Sequence, residues 1–218
     1  MRLFVSLGIV AALSVSAQAG LNYTGFLSSE DGGLLGNGGW SKNIVTFSWS
    51  ITRQDESWLY EYEFNRTGVQ GGLSHLIVET SLTFTRDDIS GASPAIQTDD
   101  PRWYSPDGQG QSNPNMPAPI FGLKFEFSGD ENISTIAFYS PRDPVWGDFF
   151  AKDGIKGGSI WNAGFAAADP LNDPANGSIR NHILVPDTTT GVIPAPGAIL
   201  LGGIGAALVS FVRRRRML

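Results

Sequence analysis

The sequence contains no cysteine. This absence excludes cysteine-zinc sites and thiol catalysis, and a domain without disulfide bonds has to be stabilised by its core. Histidine is also scarce, with two residues in the chain, and neither lies in a His-x-x-x-His, His-Glu-x-x-His or Gly-x-Ser-x-Gly context. We therefore expect structural positions for both, His75 ahead of a strand and His182 within one, and predict no catalytic residue and no metal site.

Basic side chains are few between the two ends of the chain. Arg2 and residues 213–216 are five of the 15 lysines and arginines, whereas all 21 acidic residues lie between them. The intervening chain therefore has ten basic residues and a net charge of −11, compared with −6 for the whole sequence. A surface this acidic repels phosphate backbones, so we expect no nucleic-acid partner.

Long apolar runs are confined to the two ends of the chain, and the first has the form of a secretory signal peptide. Arg2 gives it a positive start, residues 3–15 are apolar, and Ala17 and Ala19 form the small-x-small pattern of a cleavage site. We therefore predict a signal peptide over residues 1–19 and export of the chain that follows it.

The second apolar run lies near the C terminus and predicts a transmembrane helix over about residues 196–212. A helix rises about 1.5 Å per residue, so roughly 17 to 25 apolar residues cross a hydrocarbon layer of about 30 Å. The run is just long enough, and it ends in a membrane-stop block of positive charge formed by Arg213, Arg214, Arg215 and Arg216. By the positive-inside rule this block remains in the cytoplasm and the body of the chain lies outside it.

The residues around this run resemble a known sorting signal. Pro194, Ala195, Pro196 and Gly197 precede the apolar helix and the terminal arginines. This order resembles the PEP-CTERM tail of exported bacterial proteins, with Ala195 where that family typically has glutamate. The resemblance implies that an exosortase-like enzyme recognises residues 194–218 and that the processed protein reaches the cell envelope or extracellular matrix. An ordinary membrane anchor is the alternative interpretation.

Between these ends we predict one external domain over residues 20–186, joined to the tail by a stalk over residues 187–193. Apolar residues alternate with polar ones in most of its segments, turn residues recur about every 8 to 12 positions, and no segment has a helical period. This pattern predicts an all-β fold, an antiparallel β-sandwich or jelly roll of about eight to ten strands. Residues 20–42 are expected to be a loop with at most one edge strand, and the last strands are expected within residues 160–168 and 179–185.

The clearest strand pattern is a pair of alternating segments, residues 46–52 and 58–64, on either side of a charged turn. They predict an antiparallel hairpin with aromatic side chains on the core face. Glu61 and Glu63 fall on the opposite face, about 7 Å apart, a separation suitable for the two carboxylates of a glycosidase. We interpret them as solvated charges, because a sandwich places charged residues on that face.

Residues 87–119 are rich in Asp, Ser, Pro, Gly, Gln and Asn and predict a long irregular stretch. Such loops in compact domains are usually functional or disordered. Exposed aromatic rings stack on sugars, so Trp103 and Tyr104 are the candidates for a carbohydrate-binding surface, the alternative being that they anchor the loop to the sheet. A structural calcium ion is a further hypothesis for the acidic residues of this stretch, Asp87, Asp88, Asp99, Asp100 and Asp107.

Taken together, the sequence favours an exported, non-enzymatic cell-surface or extracellular-matrix protein that needs no cofactor. The alternative is a carbohydrate-binding module for cell-surface exopolysaccharide. The expected partners are an exosortase-like enzyme, the membrane through the C-terminal helix, and polysaccharide.

Overall fold

The computed structural model describes residues 21–66, 68, 72–106, 113–128, 131–154 and 158–187. The predicted signal peptide, the stalk beyond Asp187 and the sorting tail lie outside these residues. Several predicted site residues therefore have no structural description: Ala17, Ala19, Asp107, Pro194, Ala195, Pro196, Gly197, Arg213, Arg214, Arg215 and Arg216. Within the described part of the chain, we find no helix with the length and apolarity that crossing a bilayer requires.

The described residues form an all-β fold, as predicted. They contain no α-helix, and every pairing between their strands is antiparallel. The strands are β1 (Asn22–Ser28), β2 (Leu34–Gly36), β3 (Thr46–Gln54), β4 (Ser57–Asn65), β5 (Leu73–Glu79), β6 (Ser90–Ser93), β7 (Arg102–Tyr104), β8 (Ile120–Glu126), β9 (Ile133–Ser140), β10 (Pro144–Gly147), β11 (Phe149–Asp153), β12 (Ser159–Asn162) and β13 (Ile183–Pro186).

The strands form two large sheets and one small ribbon. The five-stranded sheet has the order β1-β3-β4-β9-β6, and the six-stranded sheet has the order β2-β12-β11-β5-β8-β7. Strands β10 and β13 pair only with each other, in a two-stranded ribbon. Because β10 leads directly into β11, the ribbon continues into the middle of the six-stranded sheet.

The two large sheets share an aromatic core, which gives the fold its sandwich-like form. Phe47 of β3 stacks on Phe149 of β11 with ring centroids 4.0 Å apart, and Phe138 of β9 stacks on Phe125 of β8 at 5.8 Å. The predicted hairpin is confirmed: β3 pairs with β4, and its alternating aromatic residues are buried on the core face, namely Trp58, Tyr60, Tyr62 and Phe64. Alternation at period two places these rings on a single face of the sheet.

A second, smaller core covers the other face of the six-stranded sheet. It contains Ile77, Tyr104, Met116, Ile120, Phe150 and Phe165. Strands β5 and β11 therefore bury side chains on both of their faces, and their burial patterns show long buried runs in place of alternation. The segments that follow β7 and β12 supply the covering side chains.

The segments predicted to be irregular contain more strands than expected, which raises the described total to thirteen. Residues 20–42 contain both β1 and β2, and residues 87–119 contain β6 and β7. Strands β2, β6 and β7 have three or four residues each, too few for alternation to be visible in the sequence. Conversely, β12 ends at Asn162, and the segment from there to β13 contains no strand.

Candidate functional site

Three side chains of types that bind metal ions meet at one end of the β10–β13 ribbon: Asp148, Asp169 and His182. The Nδ1 atom of His182 lies 3.0 Å from Oδ1 of Asp148 and 3.4 Å from Oδ1 of Asp169. One ligand atom from each residue lies within 4.8 Å of the other two. We call these three residues the strand-end cluster. No other group of three or more His, Asp or Glu side chains approaches this closely among the described residues.

Antiparallel pairing brings two members of the cluster together from distant parts of the chain. Asp148 follows the last residue of β10, and His182 precedes the first residue of β13. Because Gly147 pairs with Ile183, the next residues outward, Asp148 and His182, face each other across the end of the ribbon. Asp169 comes from the strandless segment between β12 and β13, so the cluster joins two strand ends and a loop.

A fourth acidic side chain, Glu79, borders the strand-end cluster at the end of β5. Its backbone N–H donates to the carbonyl oxygen of Asp148 at 3.0 Å, and the N–H of Asp148 donates to Oε2 of Glu79 at 2.8 Å. Burial raises the pKa of Glu79 well above its ordinary value, and the negative charges of Asp169 and Asp148 raise it further. This end of the ribbon is therefore a buried region of negative potential, which disfavours a further negative charge and favours a cation.

Asn162, the last residue of β12, fixes the position of the Asp148 carboxylate. Its side-chain N–H₂ donates to Oδ1 of Asp148 at 2.6 Å and to the carbonyl oxygen of Asn181 at 2.9 Å. Its Oδ1 accepts a hydrogen bond of 3.0 Å from the backbone N–H of Phe149. The fully buried amide thus connects β11, β12 and the residue before His182, and it orients the carboxylate toward the imidazole.

The imidazole of His182 is fully buried, yet neither of its nitrogens makes a hydrogen bond within the described structure. Nδ1 is close to both carboxylates, but these contacts do not have hydrogen-bond geometry. Nε2 packs against Gly164, where an added Cβ would lie 2.7 Å from it. Burying a polar atom without a hydrogen-bond partner costs about 1 to 3 kcal/mol, so the position of this ring nitrogen beside two carboxylates needs an explanation.

Sequence reasoning did not find the strand-end cluster, and no short motif marks it. Its members come from the end of β10, from a loop and from the start of β13, and their spacing matches no metal-binding pattern. The two histidines also occupy the reverse of their predicted positions: His75 lies within β5, and His182 immediately precedes β13. The only usable signal was that His182 and the two aspartates are residue types that bind metals.

Trp103 and Tyr104, the candidates for a sugar-binding surface, lie on opposite faces of β7. The Trp103 side chain is 61% exposed, and its ring packs edge-on against Phe121 with centroids 5.8 Å apart. Tyr104 is buried in the smaller core, and its hydroxyl donates to the carboxylate of Asp100. Tyr104 is therefore the anchor of this segment and is inaccessible to a sugar, whereas Trp103 presents an aromatic surface to solvent.

Three of the acidic residues proposed as calcium ligands, Asp88, Asp99 and Asp100, have other partners. Asp88 accepts from Nε of Arg142 at 3.0 Å and caps a short 3₁₀ helix through the backbone N–H of Thr85 at 2.7 Å. Asp99 pairs with Arg102, and Asp100 accepts from Tyr104 and from the N–H of Lys124. Asp87 is exposed. Among the described residues these carboxylates do not form a group of metal ligands.

Glu61 and Glu63 lie on the outer face of the five-stranded sheet, as expected. They line an open depression of about 410 Å³ together with Ser48, Ser50 and Thr135. Both side chains are exposed, and the depression is open to solvent, whereas the catalytic acid of a glycosidase is typically enclosed by apolar residues. Their placement agrees with the interpretation of solvated charges on a sheet face.

His75 contacts Asn113, a residue of the segment that follows β7. Its Nε2 atom is 2.9 Å from Oδ1 of Asn113, and its side chain is 4% exposed. Burial, together with the charge of Lys124, lowers the pKa of His75 to about 4. The hydrogen bond of Asn113 and the charge of Glu126 partly oppose this shift. The imidazole is therefore neutral at physiological pH.

No protein-family model, curated protein or solved structure matches the chain. The function has to be inferred from the residues and their arrangement.

Proposed function

We propose that the chain is an exported, non-enzymatic protein of the cell surface or extracellular matrix. In this proposal a β-sandwich or jelly-roll domain is held at the membrane by the PEP-CTERM-like tail over residues 194–218 and is processed by an exosortase-like enzyme. The observation that carries the proposal is that the described domain ends at Asp187, directly after a strand that is buried along its length. A tethered domain with this arrangement projects the rest of its surface away from the membrane.

A short chain of contacts joins the two ends. The carbonyl oxygen of Leu21 accepts from the N–H of Arg53 at 2.8 Å, and Nη1 of Arg53 lies 3.7 Å from the Asp143 carboxylate. The N–H of Asp187 donates to the carbonyl oxygen of Asp143 at 3.0 Å. Backbone hydrogen bonds thus hold Leu21 to Arg53 and Asp187 to Asp143, and the ion pair between the Arg53 and Asp143 side chains links the two.

The C-terminal end is firmly connected to the domain. Strand β13 is buried along its length, and Arg142 binds Asp187 at 3.2 Å and Asp88 at 3.0 Å. Arg142 also donates to the carbonyl oxygen of Thr83 at 2.6 Å. A tail that follows Asp187 is therefore attached to packed structure, which suits a domain displayed on a stalk.

Mass spectrometry of both termini tests this proposal. We expect mature protein from a host with an exosortase-like enzyme to begin after Ala19 and to lack residues 213–218, whereas a matched host without that enzyme should retain the arginines. Replacing Pro194 and Pro196 with alanine should abolish the processing, while Pro174→Ala in the domain should not. An intact C terminus in both hosts would contradict processing and leave a plain membrane anchor.

The exposure of Trp103 favours a second function, binding of cell-surface polysaccharide. A tryptophan face braced by Phe121 provides an apolar surface on which a sugar ring can stack. Loss of one such contact, at about 1.4 kcal/mol, weakens binding about 10-fold. We expect Trp103→Ala to reduce retention on the host's exopolysaccharide by this factor and Phe26→Ala, which removes a ring with 62% exposure on a different sheet, to have no effect. Equal retention of both variants and the wild type would end this proposal.

A further inference from the structure

We propose that Asp148, Asp169 and His182 bind a single divalent transition-metal ion, with Zn²⁺ as the representative. The site is independent of the proposed function, which involves no ion. The first supporting observation is the set of distances between the ligand atoms. Two ligand atoms, each about 2.1 Å from an ion, are about 3.0 Å apart at a right angle and about 3.4 Å apart at the tetrahedral angle. The observed separations from Nδ1 of His182 to the two carboxylate oxygens are 3.0 Å and 3.4 Å.

The unpartnered imidazole is the second, independent observation. His182 is fully buried and makes no hydrogen bond in the described structure. The approach of Gly164 to Nε2 closes that side of the ring, so Nδ1 is the nitrogen available to a ligand. An ion bound between Nδ1 and the two carboxylates satisfies this nitrogen, which hydrogen bonding within the domain leaves without a partner.

The surroundings have the features of a metal site beyond its ligands. Asn162 donates to Oδ1 of Asp148 at 2.6 Å and holds that carboxylate in place, the role that outer-shell amides commonly have. The Asp148 side chain is 6% exposed, whereas that of Asp169 is 27% exposed. The Asp169 side therefore provides the entry path from solvent.

The ligand set selects the class of ion. Imidazole is a ligand preferred by Zn²⁺ and its first-row neighbours, while Ca²⁺ and Mg²⁺ prefer oxygen ligands in larger number. One imidazole with two carboxylates accordingly favours a zinc-class ion. The bound ion would fasten the strandless segment between β12 and β13 to the ends of β10 and β13 and would thereby stabilise the folded domain.

Zinc binding to the full-length chain, purified in detergent without a histidine tag and stripped with chelator, tests the site. The absence of cysteine and the presence of two histidines keep the background of other zinc sites small. We expect equilibrium dialysis to show one Zn²⁺ per chain, and added Zn²⁺ to raise the melting temperature. The visible spectrum of bound Co²⁺ should show a nitrogen and oxygen ligand set.

Two variants with matched controls locate the ion. Asp169→Asn should weaken Zn²⁺ binding by at least about 10-fold, whereas Asp173→Asn, an exposed charge in the same segment, should not. His182→Gln should abolish the Co²⁺ spectrum, and His75→Gln should preserve it. If His182→Gln fails to fold, the Asp169 pair still decides the matter.

Three outcomes would overturn the proposal. An absence of Zn²⁺ binding would mean that the three side chains only pack together and hold no ion. Unchanged Zn²⁺ binding by Asp169→Asn would place the ion elsewhere. Stabilisation by Ca²⁺ but not by Zn²⁺ would contradict the assigned class of metal.

Discussion

The inner face of the five-stranded sheet and the strand-end cluster are both buried, but they are assembled differently. Strands β3 and β4 are neighbours in sequence and pair along nine residues, with a two-residue turn at Asp55 between them. The cluster and its border gather residues 79, 148, 162, 169 and 182 from five separate segments. The sheet face is built by a local pattern, whereas the cluster exists only after the whole chain has folded.

The forces in the two regions also differ. Aromatic burial on the sheet face is non-directional and roughly proportional to area, so any apolar ring of suitable size contributes. The cluster depends on directed hydrogen bonds and on charges whose burial is costly unless they are paired. Function is more easily placed in the second kind of region, because polar groups held in fixed positions can bind ions or substrates.

The largest expected effect belongs to the aromatic core. Phe47 is fully buried and stacks on Phe149 and Tyr62, with centroids 4.0 Å and 5.6 Å away. Phe47→Ala should lower the free energy of unfolding by about 3 to 5 kcal/mol, because it leaves a cavity between the sheets. Denaturant unfolding measures this, and Phe26→Ala on the exposed side of β1 should cost below about 1 kcal/mol. Similar losses for the two variants would contradict the assignment of inner and outer faces.

A smaller effect on stability is expected at Asn162, which holds the Asp148 carboxylate of the strand-end cluster. Asn162→Ala removes hydrogen bonds to Asp148, Asn181 and Phe149. We expect the free energy of unfolding to fall by about 2 to 4 kcal/mol in the presence of chelator, because buried partners are left unsatisfied. Asn172→Ala, at an exposed position of the neighbouring segment, serves as the control and should change little. A loss below about 1 kcal/mol for Asn162→Ala would mean that water replaces the amide.

The buried histidine of the sheet predicts a pH dependence. His75 has a pKa of about 4 in the folded protein, compared with about 6.5 when unfolded. Above pH 6.5 both states are neutral and His75 contributes nothing to the pH dependence. As the pH falls from 6.5 toward 4, the unfolded state takes up a proton that the folded state does not, so stability is lost.

Comparison of the wild type with His75→Gln isolates this contribution, because every other ionisable group is present in both proteins. We expect the stability advantage of the wild type to shrink by about 2 kcal/mol between pH 7.5 and pH 4.5. Chemical unfolding at the two pH values measures it. A constant difference would show that His75 is accessible to protons in the folded protein.

Much of the first sheet could be predicted from the sequence, because its pairing is local and its alternation is long. The segments 46–52 and 58–64 show their burial directly in their residue types. Strands β6 and β7 could not be found in this way, because each pairs at a sheet edge over a few residues in a segment dominated by polar residues. Their existence depends on partners in β9 and β8, which no local pattern reveals.

The strand-end cluster could not be predicted from the sequence, for a related reason. Asp148 and His182 face each other because Gly147 pairs with Ile183, and this register is a property of the folded ribbon. Trp103 and Tyr104 were proposed together from the sequence, but their division into an exposed ring and a buried anchor depends on which face of β7 each occupies. The sequence shows which residue types are present, whereas the distances between them and the strand faces that they occupy are known only from the structure.

The smallest effect is expected on the outer face of the five-stranded sheet, which is the counterpart of the buried face that Phe47 represents. Glu61 is exposed and stands between Ser50 and Ala137 on the neighbouring strands. Glu61→Gln should therefore change the free energy of unfolding by less than about 0.5 kcal/mol, since surface substitutions of this kind rarely do more. Unfolding of the single variant and of a double variant that adds Glu63→Gln measures this. A loss above about 1 kcal/mol would contradict this assignment, and so would a glycosidase activity of the wild type that either variant abolishes. Solvated charges on an open sheet explain neither result, so this face would then be a functional site.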